Sequence, residues 1–566
     1  MNLAEKITQY RLQYDVLDVV DLNHWFTLPV FQREAWIRDK IQSLHKSEFV
    51  EKERIIFTLT TKDDHESPND PLGSVLKNLT FWLNKVDITN YFVVVLTNSI
   101  DVQGIKIWMQ KNSTDDTKIT VEYIDEPLVP RKGEDHNTVA TNYMYGSSTP
   151  VKIAIEDLSS KESFLLTESK TFCIYPWVHL HAYPTGAAYP CCHSEMRYPV
   201  GDCRKNTLEE IWNSSAQKKL RRNMLDEKSN PACNRCYEQE VSGFFSGRQS
   251  ANKHHGHHIK RVHETQEDGT LDRFEMTYWD IRFSNLCNLR CRSCGHIFSS
   301  QWYQDQVQLA GKDWAQHNQP LNIAGRTPDD MWQQLLPHID YVEQIYFAGG
   351  EPLLMDEHYM ILEELVKRSL FHVRLIYNTN FTNTKLKNKS VFDYWKLFNS
   401  VSVGASLDGA NAHAEYIRKG TIWDQVERNR REMLNVCPQV DFYISPTLSI
   451  MNALHLPDFH RDWVERGFIL PKDLNINILQ DPPHYRIDMA SAAYKQEIQK
   501  KYQKHIEWLK PHDALQRARV GFESAINFMN ATDNSHLIDT FWSKTKQLDV
   551  IRKENILEHI PELAAL

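Results

Sequence analysis

The spacing of apolar positions changes period several times along the chain, and those changes divide it. From residue 1 to about 165, helical and strand patterns alternate. Residues 7–21 and 32–43 read as helical, and 54–61 as a strand. Leu72, Val75, Leu76, Leu79 and Leu83 repeat at helical spacing, and 91–96 is a short β-branched run bounded by turn residues. A helix around 104–110 and a strand around 118–124 complete the set. This alternation predicts a small α/β domain with a mostly parallel sheet and no glycine-rich phosphate loop. Its role is not readable from the residues.

Residues 166–245 have a different pattern. Trp177, His179 and His181 alternate, a Pro-Thr-Gly turn follows, and a short return strand ends in Cys191-Cys192, as in a hairpin. Such a hairpin brings Cys173 and Cys191 together. Thr207, with Glu210 three residues later, marks a capped helix start. The pair Cys233/Cys236 comes next and is placed to close a four-thiol site. His179 and His181 share one hairpin face and are not counted as ligands. Residues 246–270, with Lys253-His-His-Gly-His-His258, read as a polar inter-domain linker.

From 271 to 490 strand and helix patterns alternate six times. The strands are 274–283, 342–347, 373–378, 401–407, 440–448 and 473–479. The helices fall at 297–309, after Thr327, and at 357–368, 391–398, 422–436 and 455–466, with an apparent insertion at 310–326. Six consecutive βα units predict a parallel, TIM-like but partial barrel, whose sites lie at the C-terminal strand ends. Residues 491–566 read as helices covering the open side of the barrel or the substrate channel. The fold class expected is therefore α/β: a partial (βα)6 barrel preceded by a small Cys-rich domain and an N-terminal α/β domain, with a helical C-terminal tail.

Composition narrows the function. The chain has 566 residues and a formal net charge of −9. No basic stripe is present, which argues against a nucleic-acid binder. There is no run of about eighteen apolar residues and no export signal at the N-terminus, so a cytoplasmic protein is expected. In a reducing compartment the ten cysteines read as metal ligands rather than disulfides. None precedes Cys173, and Cys203 and Cys437 stand apart from the clusters.

The central trio is Cys287, Cys291 and Cys294, separated by three and then two residues. Three local thiols leave one iron of a [4Fe–4S] cluster unclaimed, whereas structural zinc wants four ligands. The trio follows the first barrel strand. Gly349-Gly350-Glu351-Pro352 follows the second, where paired glycines allow close backbone approach and Glu351 can accept from an ammonium group. Asn378 and Asn380 end the third strand, and Ser406 and Asp408 the fourth; Asp408-Gly409 reads as a turn. Arg418 offers a fork for a carboxylate.

The cysteine spacing, with Gly-Gly-Glu-Pro behind it in order, resembles the radical S-adenosylmethionine (radical SAM) family. The pattern of Cys173, Gly186, Cys191, then Cys233-x-x-Cys236 resembles the twitch domain, the shortened SPASM domain that accompanies many members. The resemblance implies a [4Fe–4S] cluster on Cys287, Cys291 and Cys294, with S-adenosyl-L-methionine on its open iron. It implies a second, auxiliary [4Fe–4S] cluster on Cys173, Cys191, Cys233 and Cys236, with Cys192 the rival to Cys191. A zinc ribbon is the alternative for that set. S-adenosylmethionine would be held by Gly349, Gly350, Glu351, Pro352, Asn378, Asn380, Ser406 and Arg418, with 448–452 near adenine or ribose. The implied reaction is reductive cleavage of S-adenosylmethionine to a 5′-deoxyadenosyl radical and hydrogen abstraction from a substrate, leaning to a peptide or protein. A flavodoxin- or ferredoxin-like electron donor is the implied partner. A sugar or nucleotide substrate, or a non-catalytic zinc or iron–sulfur scaffold, are the competing readings. Two departures stand out. Ser293 occupies a position where many members have an aromatic residue, and the accessory domain here precedes the barrel.

Overall fold

The computed structural model describes residues 158–566 apart from 242–244, 512 and 514–516, together with four strands nearer the N-terminus. The chain divides into two compact units: residues 1–168 with 252–257, and residues 169–251 with 258–566.

In the first unit, β1 (Asp15–Asp21), β2 (Glu53–Leu59), β3 (Phe92–Thr97) and β4 (Ile119–Tyr123) form one parallel sheet in sequence order. The last three match the expected strands. β1 corrects the expected helix 7–21 over residues 15–21, while 7–14 lie outside the described residues: Val16, Val19 and Val20 are β-branched and suit a strand, and β1 pairs in parallel with β2 across a bulge between Val16 and Asp18. The helices expected at 32–43, 71–86 and 104–110 lie outside the described residues.

The second unit is built on one eight-stranded sheet. Its members are β5 (His179–Ala182), β6 (Ala187–Tyr189), β7 (Gly201–Asp202), β8 (Tyr278–Ile281), β9 (Gln344–Phe347), β10 (Arg374–Thr379), β11 (Val401–Ala405) and β12 (Asp441–Ile444). Their spatial order is β12-β11-β10-β9-β8-β5-β6-β7. From β8 to β12 every pairing is parallel. The strand expected at 473–479 is short: Ile444 bridges Leu474 in parallel, and Thr447–Leu448 pairs with Asn477–Ile478. Helices Asp356–Lys367, Trp423–Val436 and Leu456–Glu465 alternate with the strands. Strands buried on both faces explain the near-continuous apolar runs, such as Val401–Ala405, in which every residue is buried.

The hairpin forms as its sequence suggests, with His181 opposite Tyr189 and Ala182 opposite Ala188. It does not stand apart from the core. β5 pairs in parallel with β8, His181 alongside Asp280, so the hairpin extends the core sheet. Thr207 and Glu210 exchange both capping-box hydrogen bonds at the start of Leu208–Trp212. Residues 246–270, expected as a linker, are helical over Gly247–His255 and a 3-10 helix over Gly256–Glu264. The C-terminal region is helical over Ala492–Leu509, Arg517–Ala531 and Ile538–Arg552. No helix among the described residues is long and apolar enough to cross a membrane.

Candidate functional site: two thiol clusters on one sheet

β8 ends at Ile281, and the chain then runs through Phe283 into the cysteine loop. Cys287 and Cys291 are buried around the fully buried Leu289, and the half-buried Cys294 packs against them. The loop is tied from several sides. Ser299 Oγ donates to the Leu289 carbonyl at 2.6 Å, and Trp302 Nε1 to the Cys291 carbonyl at 2.9 Å. Arg290–Cys291 pairs antiparallel with Arg418–Lys419.

The Gly-Gly-Glu-Pro turn after β9 lies directly against this loop. A Cβ on Gly350 would sit 2.2 Å from the Leu286 carbonyl oxygen. Glu351 N–H donates to that same oxygen at 2.6 Å, and Gly350 N–H to the Ser284 carbonyl at 3.3 Å. The glycine is therefore required by contact with the cysteine loop itself. Gly349 takes φ +121°, a conformation side chains disfavour.

Glu351 is 1% exposed, and protein donors already fill its carboxylate: Thr379 Oγ1 at 2.6 Å, Asn380 N–H at 2.7 Å and Leu353 N–H at 3.2 Å. Burial pushes its pKa up to about 7, opposed by those hydrogen bonds. Its carboxylate thus knits β10 to the turn, leaving little of it for an ammonium group. Asn380 reaches the cysteine loop, with Nδ2 2.9 Å from Asn288 Oδ1 and 3.9 Å from Cys287 Sγ. Asn378 donates to Tyr346 Oη at 2.6 Å. Ser406 is placed next to it by Ser406 N–H donating to the Thr379 carbonyl at 2.8 Å.

Arg418 lies beside the trio. Its Nε and Nη2 are held by Asp408 at 2.8 and 3.0 Å, and Nη1 is 3.6 Å from Cys291 Sγ. Asp408 is 1% exposed and also accepts from Thr447 N–H at 2.7 Å, so it is an anchor for Arg418 rather than a turn residue alone. The sequence reads Asp408 as a turn residue and does not single out Asn288, which fills a variable position between Cys287 and Cys291.

The second cluster gathers Cys173, Cys191, Cys233 and Cys236. Burial raises the pKa of all four thiols, to about 12 for Cys233; proximity to Cys233 and Cys236 adds to the rise at Cys173 and Cys191. Cys192 is also pushed up to about 12 by burial, with Asp280 the next contributor. Arg248, 5% exposed, stands beside this set. It pairs with Glu240 at 2.5 Å and donates to the Phe172 and Ser169 carbonyls at 2.7 and 3.0 Å. It ties the Cys-x-x-Cys helix to the segment bearing Cys173, and no spacing rule marks it. His179 and His181 are buried against Tyr278 and Asp280, not at the thiols: His179 Nδ1 lies 3.0 Å from the Tyr278 carbonyl and His181 Nδ1 2.8 Å from Asp280 Oδ2.

Both donor sets fit iron–sulfur centres. Four thiols, Cys173 and Cys236 buried and Cys191 and Cys233 half-buried, suit soft thiophilic metals, since a cationic metal offsets the burial and mutual repulsion that keep the thiols protonated. The trio carries N–H donors, from Arg418 and Asn380, aimed at two of its sulfurs, as anionic cluster thiolates favour.

Comparisons with known proteins bear on the second set. No curated protein matches the chain. The solved structures that overlap it include native anSMEcpe with bound AdoMet and Cp18Cys peptide, and native anSMEcpe with bound AdoMet. They are 18% and 20% identical, with TM-scores of 0.27 and 0.26; each overlap covers 40% of this chain and 58% of the other. Scores of this size do not establish a shared fold. Residues 173–237 match the family model of SPASM, an iron–sulfur cluster-binding domain. Over that stretch the chain is similar to the accessory iron–sulfur domain that its cysteine spacing resembles.

Proposed function

We propose that the chain is a radical SAM enzyme with an auxiliary iron–sulfur centre. The observation that carries this is the packing of the Cys287, Cys291 and Cys294 loop onto the Gly350–Glu351 backbone at the C-terminal ends of parallel strands. Cys287, Cys291 and Cys294 would hold a [4Fe–4S] cluster, and Cys173, Cys191, Cys233 and Cys236 the auxiliary one. A cluster held by three thiolates supplies one-electron reductive cleavage of S-adenosylmethionine and so a route to hydrogen abstraction from an unactivated C–H bond. The five parallel strands β8–β12, continued by the Leu474 bridge, are read as the wall of a partial barrel.

The chain's own residues orient and shield. Arg418 and Asn380 direct N–H groups at cluster sulfurs. Asp408 fixes Arg418, and Glu351 fixes the turn. The Glu351 and Pro352 carbonyls accept from Leu354 and Met355 N–H, so the Gly349 and Gly350 carbonyls are the ones that would receive the amine of S-adenosylmethionine, with Asn378 and Ser406 at the neighbouring strand ends. The substrate is read as a peptide or protein, and the electron source as an external flavodoxin- or ferredoxin-like donor.

Anaerobic reconstitution, iron and sulfide counts and a dithionite assay for 5′-deoxyadenosine test this reading. About eight irons per chain and 5′-deoxyadenosine formation are expected for two cubanes. An iron-free protein, or one with iron that never consumes S-adenosylmethionine, would leave the scaffold reading in its place.

A further inference from the structure

Arg282 stands at the end of β8, immediately before Phe283 opens the cysteine loop. Its side chain is 17% exposed, and Nε lies 3.4 Å from Asp280 Oδ1. No acceptor among the described residues meets Nη1 or Nη2. A guanidinium carries five N–H donors in a rigid fork, and the outer nitrogens of Arg282 are not among the buried atoms that lack a partner, so they stay open to a ligand.

The rest of the side chain is well held. The rings of Tyr183 and Tyr346 lie 5.5 and 6.0 Å from the guanidinium carbon. Tyr346 is itself fixed by the 2.6 Å hydrogen bond from Asn378. Asp280 and His181 are both fully buried, and their contact secures the anchor beneath Arg282. Burial drives His181 towards its neutral form, so Asp280 is the single charge paired with Arg282 there.

Position gives this arrangement a use. A Cβ on Gly349 would lie 3.1 Å from Arg282 Cβ, which puts Arg282 against the Gly-Gly-Glu-Pro turn. Its charge also acts on Cys192 and His193 of the accessory domain. Arg282 thus lies between the two thiol clusters, at the strand ends where substrates of parallel α/β sites bind. A planar carboxylate is the ligand that a guanidinium fork between aromatic rings is shaped to take.

We propose that Arg282 is a binding residue whose Nη1/Nη2 fork receives a carboxylate at the strand-end rim between the two thiol clusters, from the substrate or from S-adenosylmethionine. This deepens the function proposed above and rests on it for what else occupies the rim.

The test uses the full chain with its centres reconstituted anaerobically, as wild type and as Arg282→Gln, with unchanged iron content as the check on folding. Equilibrium dialysis compares S-adenosylmethionine with its decarboxylated analogue. If S-adenosylmethionine supplies the carboxylate, Arg282→Gln weakens it tenfold or more and leaves the analogue unchanged. If the substrate supplies it, neither affinity changes. N-acetylglycine, but not N-acetylglycinamide, then slows phenylglyoxal modification of Arg282 in wild-type protein, mapped by mass spectrometry. Either result supports the proposal. Unchanged dialysis together with modification that ignores both probes overturns it. The modification experiment needs no variant, so a misfolded Arg282→Gln leaves it decisive. A wild-type protein that holds iron but binds no S-adenosylmethionine refutes the proposed function, while protection by N-acetylglycine still reports on Arg282.

Discussion

Single residues here act through what already holds them. Glu351 and Arg418 were expected to meet the amine and the carboxylate of S-adenosylmethionine. Each instead spends its main polar contacts inside the protein, on Thr379 and Asn380, and on Asp408. Their residue types and motif positions were legible in the sequence. Their partners were not, because Asp408 and Thr379 reach them through the fold and not through spacing. His358 shows the same effect on protonation. It is 1% exposed, with Nε2 3.0 Å from Tyr377 Oη, and burial lowers its pKa to about 3. The unfolded chain binds a proton there near pH 6.5 and the folded chain does not, so the folded state loses stability as pH falls below 6.5. The slope approaches about 1.4 kcal/mol per pH unit for one such group. Urea midpoints measured from pH 7 to pH 5 are expected to fall, and His358→Gln is expected to flatten that fall by close to one proton. An identical slope in the variant would show that His358 titrates normally.

At the scale of elements, the cysteine loop is a part clamped between two others. Its floor is the Gly349–Gly350 turn. Gly350→Ala would drive a methyl group into the Leu286 carbonyl, and backbone cannot move aside as a flexible side chain can. We expect this variant to lose the iron of the trio and keep that of the accessory domain, with counts falling from about eight to about four per chain. Retention of all the iron would mean that the loop tolerates displacement. The other side of the clamp is the helix Ile538–Arg552. Arg292, with a fully buried side chain, pairs with Asp549 and, at 2.9 Å, with Glu554, and lies 3.7 Å over the Tyr416 ring. Asp305 joins Arg290 at 2.7 Å to Arg552 at 2.8 Å. Arg292→Met leaves the buried Asp549 without its cation, although Glu554 keeps Lys419 at 2.8 Å, a loss of about 3–5 kcal/mol. Thermal melting of the reconstituted protein should register it clearly, whereas a surface pair such as Lys510–Glu507 should cost below about 1 kcal/mol. Periodicity revealed most of these elements. It missed the clamp, because a charge network 257 residues apart in sequence leaves no local pattern. It also misjudged residues 15–21, where valines spaced for either period form a strand once β2 supplies the ladder.

For the second unit as a whole, the decisive feature is that one sheet carries both thiol clusters. The sequence separates the accessory stretch from the strands of the core, and a separate module is the natural expectation. β5 pairs with β8 along four residues, the last of them Ala182 against Ile281, directly before the cysteine loop. Backbone pairing reaches across a boundary that composition suggests, because an antiparallel hairpin offers a free edge and the first core strand needs a neighbour. The two centres should therefore be coupled in stability while separable in chemistry. Cys233→Ser with Cys236→Ser removes half of the four-thiol set and should reduce iron to about four per chain. S-adenosylmethionine should still bind, since the trio is untouched. If the sheet is shared, the same variant should also melt at lower temperature and expose the 274–300 segment to limited proteolysis, because loosening β5 uncovers the edge of β8. A variant that loses the auxiliary iron but keeps wild-type melting and wild-type cleavage at that segment would mean that the hairpin contributes little to holding the core, and that the two centres fold independently.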